Sequence, residues 1–488
     1  MSGQDAGEQS QLVLTAHPLQ RVGAFALAAL ATSADRTAPT ELPAAGFERA
    51  VAEVTGDAVR AALVRDSKGA NGFWLKASYS FFPNAPMNHP SNGKRSDAEV
   101  GDAVRRWRAA PDRDGWPAVD CVLCGRQAVG FFGKRDVALA ESEAYRNSTP
   151  RGHEGMALCR PCLQSFYALP YGCRLTGGSS IALHSWDEDF LLDAITRQVD
   201  HNRTIAATGD AGKRQGEVRE VVALTALRTH VRPMNASVDL LVFNNNNRGQ
   251  LLEVHSLEQP LAEWLRRTQR LARRRRGFTA LVKGHASAST PGLVALARNA
   301  FREPSRIVSA GLRRLLHLVG RAGGLDEAGD LAQLLYSFAT EVMLMTEKDL
   351  SEIRAAAHNV ATLLAVETSG GRLRTFRTLF REPRRLRGWL TGAGVQWAIK
   401  PPADIPVGPF VSERAFVLLF DPGQDNAAWF HRDVFLVAVL EELARRGWAP
   451  KDKDETDVSP SGDSPAGDWD LDALDQQAIT YDMEEEQS

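Results

Sequence analysis

Four cysteines in two pairs of identical spacing are the residues best suited to do chemistry in this chain. They are Cys121-Val122-Leu123-Cys124 and Cys159-Arg160-Pro161-Cys162. Two intervening residues let both thiolates of a pair reach one ion from a tight turn, and Gly125 lets the chain leave the first turn. Together they offer four soft sulfur ligands, which suits a closed tetrahedral Zn2+ site with no open position for water, a scaffold rather than a reaction centre. Disulfides, buried structural thiols and a redox pair are the other readings. The intervening residues 125–158 exceed a minimal finger, so the spacing predicts a zinc ribbon, about 116–175, embedded in a larger body. Cys173 stands apart as a buried apolar residue, and His153 lies in a polar loop as a weaker ligand.

Other residues have chemistry suited to nucleic acid. Pro83 to Arg95 carries Asn84, Asn88, Asn92, Lys94 and Arg95 among three prolines, a composition that excludes helix and keeps the amides and cations exposed. Amides can read minor-groove acceptors or the guanine amino group, and cations can neutralise phosphate. A second set of amides, Asn244 to Asn247, including Asn245 and Asn246, falls between two strand-like runs and predicts a hairpin tip. Arg266, Arg267, Arg270, Arg273, Arg274, Arg275 and Arg276 have no acidic residue within their span, so solvent or an anion must satisfy them. Arg374, Arg377, Arg381 and Arg384 recur at helical steps and would line one face, with a kink at Pro383. Each of these sets also has a plain reading as turn or solvated helix surface. Asp200-His201-Asn202-Arg203 invites a metal-dependent nuclease reading, with helix surface as its alternative.

The elements that must position these residues are mostly helical. His17-Pro18 opens an Ala/Leu helix through about Ala31, and Phe47, Val51, Val54 and Ala58 recur at helical spacing. Residues 1–14 are polar and expected to be loose, and 181–199 mixes strand and helix signals. From Pro291 the apolar stripes Leu331, Leu334, Leu335, Phe338, Val342 and Ile353, Ala357, Val360, Leu364 predict a helical bundle, with Thr346 and Asp349 as a helix-opening cap and a last helix over about 430–446. The expected architecture is α+β: a mixed N-terminal domain (1–290), an all-α C-terminal bundle (291–448) and a disordered acidic tail (449–488).

Composition is that of an ordinary globular protein, 43% hydrophobic and 24% charged. The formal charge of -2 conceals a division: residues 449–488 hold 13 Asp or Glu against two Lys, leaving +9 on residues 1–448. A basic body suggests an anionic partner, and the tail suggests a segment able to occupy the same surface. Few cysteines beyond the metal set imply a reducing compartment, and the apolar run 22–31 is too short to span a bilayer, so a cytoplasmic location is expected.

The chain resembles the large subunit of type I CRISPR interference complexes (Cascade), in the zinc-containing I-A/I-B branch. Four features carry the resemblance in order over roughly residues 17–260: Pro18 with Gly23-Ala24 in an Ala/Leu helix; Phe81-Phe82-Pro83-Asn84-Ala85-Pro86; the paired cysteines; and the hairpin Leu240 to Val254 with its Asn-rich tip. The opening His17-Pro18-Leu19-Gln20-Arg21 departs from the family's Asn-Pro-Phe-Val-Asp. The resemblance implies a non-catalytic subunit that assembles with crRNA and backbone subunits, tests the motif (PAM) flanking a double-stranded DNA target, stabilises the R-loop and recruits a nuclease-helicase in antiviral defence. Such families also produce a small subunit from an internal start, for which Met343 or Met345 would serve. A metal-dependent nuclease using His201 and a zinc-ribbon adaptor that binds protein partners are the rival functions.

Overall fold

The computed structural model describes residues 9–448 except 33–35, 65–71, 110–116, 141–148, 176–178, 209–217, 247–248, 320–323, 367–370, 381, 401–407 and 422–427. The acidic tail expected over 449–488 therefore lies outside the described residues. The chain forms two compact units, one of residues through Ala226 with His230–Gln259, the other of Leu227–Thr229 with residues from Pro260 onward. The division falls at Gln259–Pro260, ahead of the boundary expected at 290, because the arginine-rich segment after Pro260 packs on later helices.

The first unit is α+β. Its helices are α1 (Pro18–Ala31), α2 (Ala44–Val64), α3 (Phe73–Phe81), α4 (Asp97–Arg108), α5 (Arg160–Gly172), α6 (Glu188–Thr208) and α7 (Arg219–Thr229). A two-stranded ladder joins β1 (Gly130–Phe132) to β2 (Met156–Leu158), with Gly130 opposite Leu158. The second sheet is antiparallel in the order β3 (Arg174–Leu175), β4 (Ser180–Ser185), β5 (Val238–Asn246), β6 (Gly249–Leu257). The hairpin is longer than the residue types alone suggested: Asn244, Asn245 and Asn246 belong to β5, paired with Leu251, Gln250 and Gly249.

Helix α5 is the axis of this unit. Every residue from Pro161 to Gly172 is buried, so it is surrounded by protein on all sides. Its closest neighbour is α1: a Cβ on Gly23 would lie 1.8 Å from the Ser165 carbonyl oxygen, so only glycine permits the crossing. A buried polar cluster braces the same contact. Gln20 donates through Nε2 to Ser165 Oγ (3.2 Å) and to the Val13 carbonyl (2.8 Å), and its Oε1 accepts from the Thr15 hydroxyl (2.9 Å). Residues 9–14, expected to be loose, are thus partly built in, and Leu12 is fully buried.

The second unit is all helical: α8 (Gln259–Arg267) at its start, α9 (Ala272–His285), α10 (Gly292–Arg302), α11 (Arg306–Leu318), α12 (Leu325–Glu341), α13 (Glu347–Ala365), α14 (Gly371–Phe380), α15 (Pro383–Ile399), α16 (Glu413–Phe420) and α17 (Ala428–Arg445). The apolar stripes of α12 and α13 are buried as their spacing requires, except Val342, which ends α12 half-buried. α17 packs on α11, α12, α13 and α16. Thr346 caps α13 by accepting from the Asp349 amide, while the Asp349 carboxylate is held by Arg414. No helix among the described residues is long and apolar enough to cross a membrane.

Candidate metal centre and nucleic-acid surfaces

The four cysteines predicted as ligands come together. The Sγ atoms of Cys121, Cys124, Cys159 and Cys162 all lie within 4.8 Å of one another. A tetrahedral zinc–thiolate site, with metal–sulfur distances of about 2.3 Å, would separate its sulfurs by roughly 3.8 Å. The Cys124–Cys159 separation of 3.5 Å fits that spacing and excludes a disulfide, and all five cysteines are free thiols. The donor set therefore fits a soft metal ion held by four sulfurs.

The two pairs are presented differently, and here the ribbon expectation is corrected. Cys121 and Cys124 sit on a knuckle: the Gly125 amide donates to the Cys121 carbonyl (2.9 Å), and Gly125 turns the chain with φ +75°. Cys159 and Cys162 instead open α5, Cys159 as the residue preceding it and Cys162 in its first turn. Pro161 explains the choice, since proline in a first helical turn is preorganised and gives up an amide that would lack a partner. The positive end of α5 faces the thiol cluster and favours thiolate. As bare thiols Cys121, Cys159 and Cys162 compete for charge: hydrogen bonds from Cys159 and Cys162 hold Cys121 low, and donation to Cys121 pushes Cys159 and Cys162 up.

Sequence reading missed the residues that tie the two halves together. Gln9 Nε2 donates to the Gln127 carbonyl (3.1 Å), and the Arg160 amide donates to Gln9 Oε1 (3.1 Å), so one side chain bridges knuckle and helix. Arg160 also makes a paired contact to Glu48 of α2 (2.5 and 2.7 Å), which holds the Glu48 carboxyl below its ordinary value. Behind Cys162, Tyr167 donates to Asp136 (3.2 Å), which also accepts from Trp107 Nε1 (2.7 Å). Arg108 lies buried against the rings of Tyr167 (4.0 Å) and Trp107 (4.1 Å), and burial lowers its pKa to about 10, so it stays cationic at neutral pH. None of these contacts has a local sequence signal. His153 stacks on Phe131 (4.7 Å) and is not among the clustered ligands, and burial pushes the Cys173 thiol up.

The predicted Asn and Arg sites divide into exposed and structural residues. Phe73–Phe81 is helical, and the Pro-rich segment that follows folds into two short 3-10 turns, Pro86–Asn88 and Pro90–Lys94. Asn84 and Lys94 are exposed and Arg95 is half-buried. Asn88 accepts from Ser78 and donates to the Phe82 carbonyl (2.8 Å), and Asn92 is buried, donating to the Pro86 and Met87 carbonyls (2.9 and 3.1 Å). Both amides are turned onto nearby backbone carbonyls, of which Phe82 and Pro86 also accept a backbone amide, and this corrects the expectation that they face solvent. Asn245 is likewise fully buried: it donates to the Phe81 carbonyl (2.8 Å) and accepts from Gln250 (2.8 Å). The backbone of Asn246 pairs with Gly249, while the tip residues 247–248 lie outside the described residues.

The arginine run is not without counter-charge. Arg266 pairs with Glu263, Arg267 and Arg274 with Glu341, and Arg273 and Arg276 with Asp330 (3.1 and 2.6 Å). Asp330 and Glu341 lie on α12, far along the chain, so a local count of charges could not find them. Arg270 and Arg275 are exposed. The later set is not one stripe: α14 ends at Phe380, and Pro383 opens α15 as a new helix, because proline is suited to a first turn and not to an interior. Arg377 is half-buried and Arg384 exposed; Arg381 and the side chain of Arg374 lie outside the described residues. His201 falls within α6, where Asn202 is buried, donating to the carbonyls of Tyr171 (2.9 Å) and Cys173 (2.8 Å), and Arg203 pairs with Glu53. Among the described residues the four cysteines are the only clustered metal-ligating set.

In comparisons with known proteins, no family model and no curated protein matches the chain.

Proposed function

We propose that this chain is the non-catalytic large subunit of an RNA-guided, type I CRISPR surveillance complex, with a structural Zn2+ held by Cys121, Cys124, Cys159 and Cys162. What supports the reading is that the features carrying the resemblance form one assembly. Asn245 of the hairpin binds the Phe81 carbonyl of the aromatic-Pro-Asn segment, and Phe81 packs edge-on against Phe243 (5.5 Å). Phe82 in turn packs on Tyr167, on the helix that carries Cys162 (6.1 Å). A metal at the four thiols would hold α5, and through it the loop that presents Asn84 and Lys94.

In this reading Asn84, Lys94 and Arg95 meet the duplex beside the flanking motif, while Asn88, Asn92 and Asn245 shape the surface without touching bases. Arg270 and Arg384 supply phosphate contacts, and Arg273, which is mostly exposed, can exchange its ion pair for phosphate at little cost. The test is purification of the tagged chain from its native host. RNA of uniform length and a repeated backbone subunit should accompany it, and recovery without RNA would overturn the proposal.

The second reading, an adaptor that binds protein, draws on the pairing of five arginines with acids, which leaves fewer cations for phosphate. Duplex binding that weakens steeply with salt favours the first; no duplex binding at low salt favours the second.

A further inference from the structure

The outer face of α15 is built for a partner that the described residues do not supply. Leu386, Leu390, Ala393 and Trp397 are buried on its inner side. Opposite them, Arg384, Gly388, Val395 and Ile399 fall within about 40° of one line along the helix, with Thr391 and Gly392 flanking it. All six are exposed. Val395 is 55% and Ile399 79% exposed, the latter more than any other large apolar side chain among the described residues. A Cβ on Gly388 or Gly392 would meet nothing within 4 Å, so the fold does not require glycine at either position. Each nevertheless costs a helix interior about 1 kcal/mol relative to alanine. The face is therefore cationic at its start, smooth in its middle and apolar at its end.

We propose that this face binds the chain's own acidic tail, through Asp468-Trp469-Asp470-Leu471-Asp472-Ala473-Leu474-Asp475. Charge complementarity and chain geometry argue for this occupant. The tail segment interleaves four aspartates with Trp469, Leu471 and Leu474, so it carries both the anions for Arg384 and the apolar groups for Val395 and Ile399. The two glycines leave room for its backbone to lie close. Phe376 of α14 contacts both Trp389 of α15 (5.3 Å) and Phe435 of α17 (6.4 Å), so α15 stands near the helix from which the tail departs. The 20 residues between Trp448 and Trp469 span up to about 66 Å, more than the roughly 40 Å width of a helical unit of this size. Docking covers Arg384 and so withdraws one cation from any anionic partner.

Hydrogen exchange of the full-length chain tests the proposal without nucleic acid, so its outcome is separate from that of the function proposed above. Peptides covering 386–399 should exchange about tenfold more slowly in the native chain than in the full-length W469S/L471S/L474S variant. Val395→Asp with Ile399→Asp, both at exposed positions, should remove the same difference. Equal exchange in the native and tail-variant chains would overturn the proposal. So would protection that rises with protein concentration alongside a doubled mass in ultracentrifugation, which would assign the face to a second copy.

Discussion

Gly23→Ala tests the contact on which the four-thiol cluster depends. The new Cβ would stand 1.8 Å from the Ser165 carbonyl oxygen and 2.6 Å from its carbon, both backbone atoms that cannot rotate away. Restoring ordinary contact requires α1 and α5 to separate by about 1.6 Å. That shift also stretches the 3.2 Å Gln20–Ser165 hydrogen bond beyond useful length. Overpacking of this kind costs about 1–3 kcal/mol, and an opened buried hydrogen bond about 1–3 more. A loss of about 2–6 kcal/mol lowers the melting temperature of a unit this size by roughly 4–24 °C. Because α5 carries Cys159 and Cys162, the variant should also surrender its metal faster to a chromophoric chelator. Thermal melting followed by circular dichroism supplies the first measurement and absorbance of the chelator complex the second. Gly329→Ala, where a Cβ has open space, is the control and should be neutral or stabilising by about 0.5–1 kcal/mol. A Gly23→Ala protein that melts within about 1 °C of the native chain would refute the close crossing.

The other predictions concern separate parts of the molecule. Elemental analysis should find one zinc per chain, reduced to a small fraction in Cys162→Ser, and chelation should unfold the first unit because a structural site couples metal binding to folding; a chelated chain with unchanged melting would count against the site. Asn92→Ala should lower stability by about 1–3 kcal/mol by leaving the Met87 carbonyl without its donor, and Asn88→Ala by about 0.5–1.5 kcal/mol through its lost bonds to Ser78 and Phe82, whereas exposed Asn84→Ala should stay within about 0.5 kcal/mol; denaturant titration separates the outcomes. Asp433 is raised by burial from 3.8 to about 6, so its folded form holds a proton that its unfolded form releases. Its contribution is present below about pH 3.8 and is lost as pH rises toward 6, leaving a cost of about 3 kcal/mol at neutral pH. Asp433→Asn should therefore stabilise the chain at pH 8 and lose that advantage near pH 3.5; an equal effect at both values would exclude ionisation as the cause.

Local patterns in the sequence carried a large part of the fold. Repeats of apolar residues at three and four positions placed α2, α12 and α13, because a helix buries one face and its period is visible wherever that face is continuous, while α1, buried on nearly all sides, was announced by His17-Pro18 and an Ala/Leu run. The spacing of the cysteines announced their association, since two pairs of thiolates have few other uses in so cysteine-poor a chain. Pro383 marked the break before α15, though not the start of a separate helix. These are properties of neighbouring residues, and neighbouring residues determine them.

Contacts between distant segments were decided only by the tertiary structure. Nothing near Arg273 or Arg276 shows that Asp330 will neutralise them, and nothing near Gln9 shows that it will bridge Gln127 and Arg160. The asparagines make the same point. Asn84, Asn88 and Asn92 are alike in type and setting, yet the first is exposed and the other two are spent on backbone carbonyls. Whether an amide faces solvent or protein depends on which carbonyls the folded chain brings within its reach, and that depends on where the surrounding segments lie. The sequence alone determined that four sulfurs would meet; the packing of α5 against Gly23 decided where they sit and which face of the molecule they support.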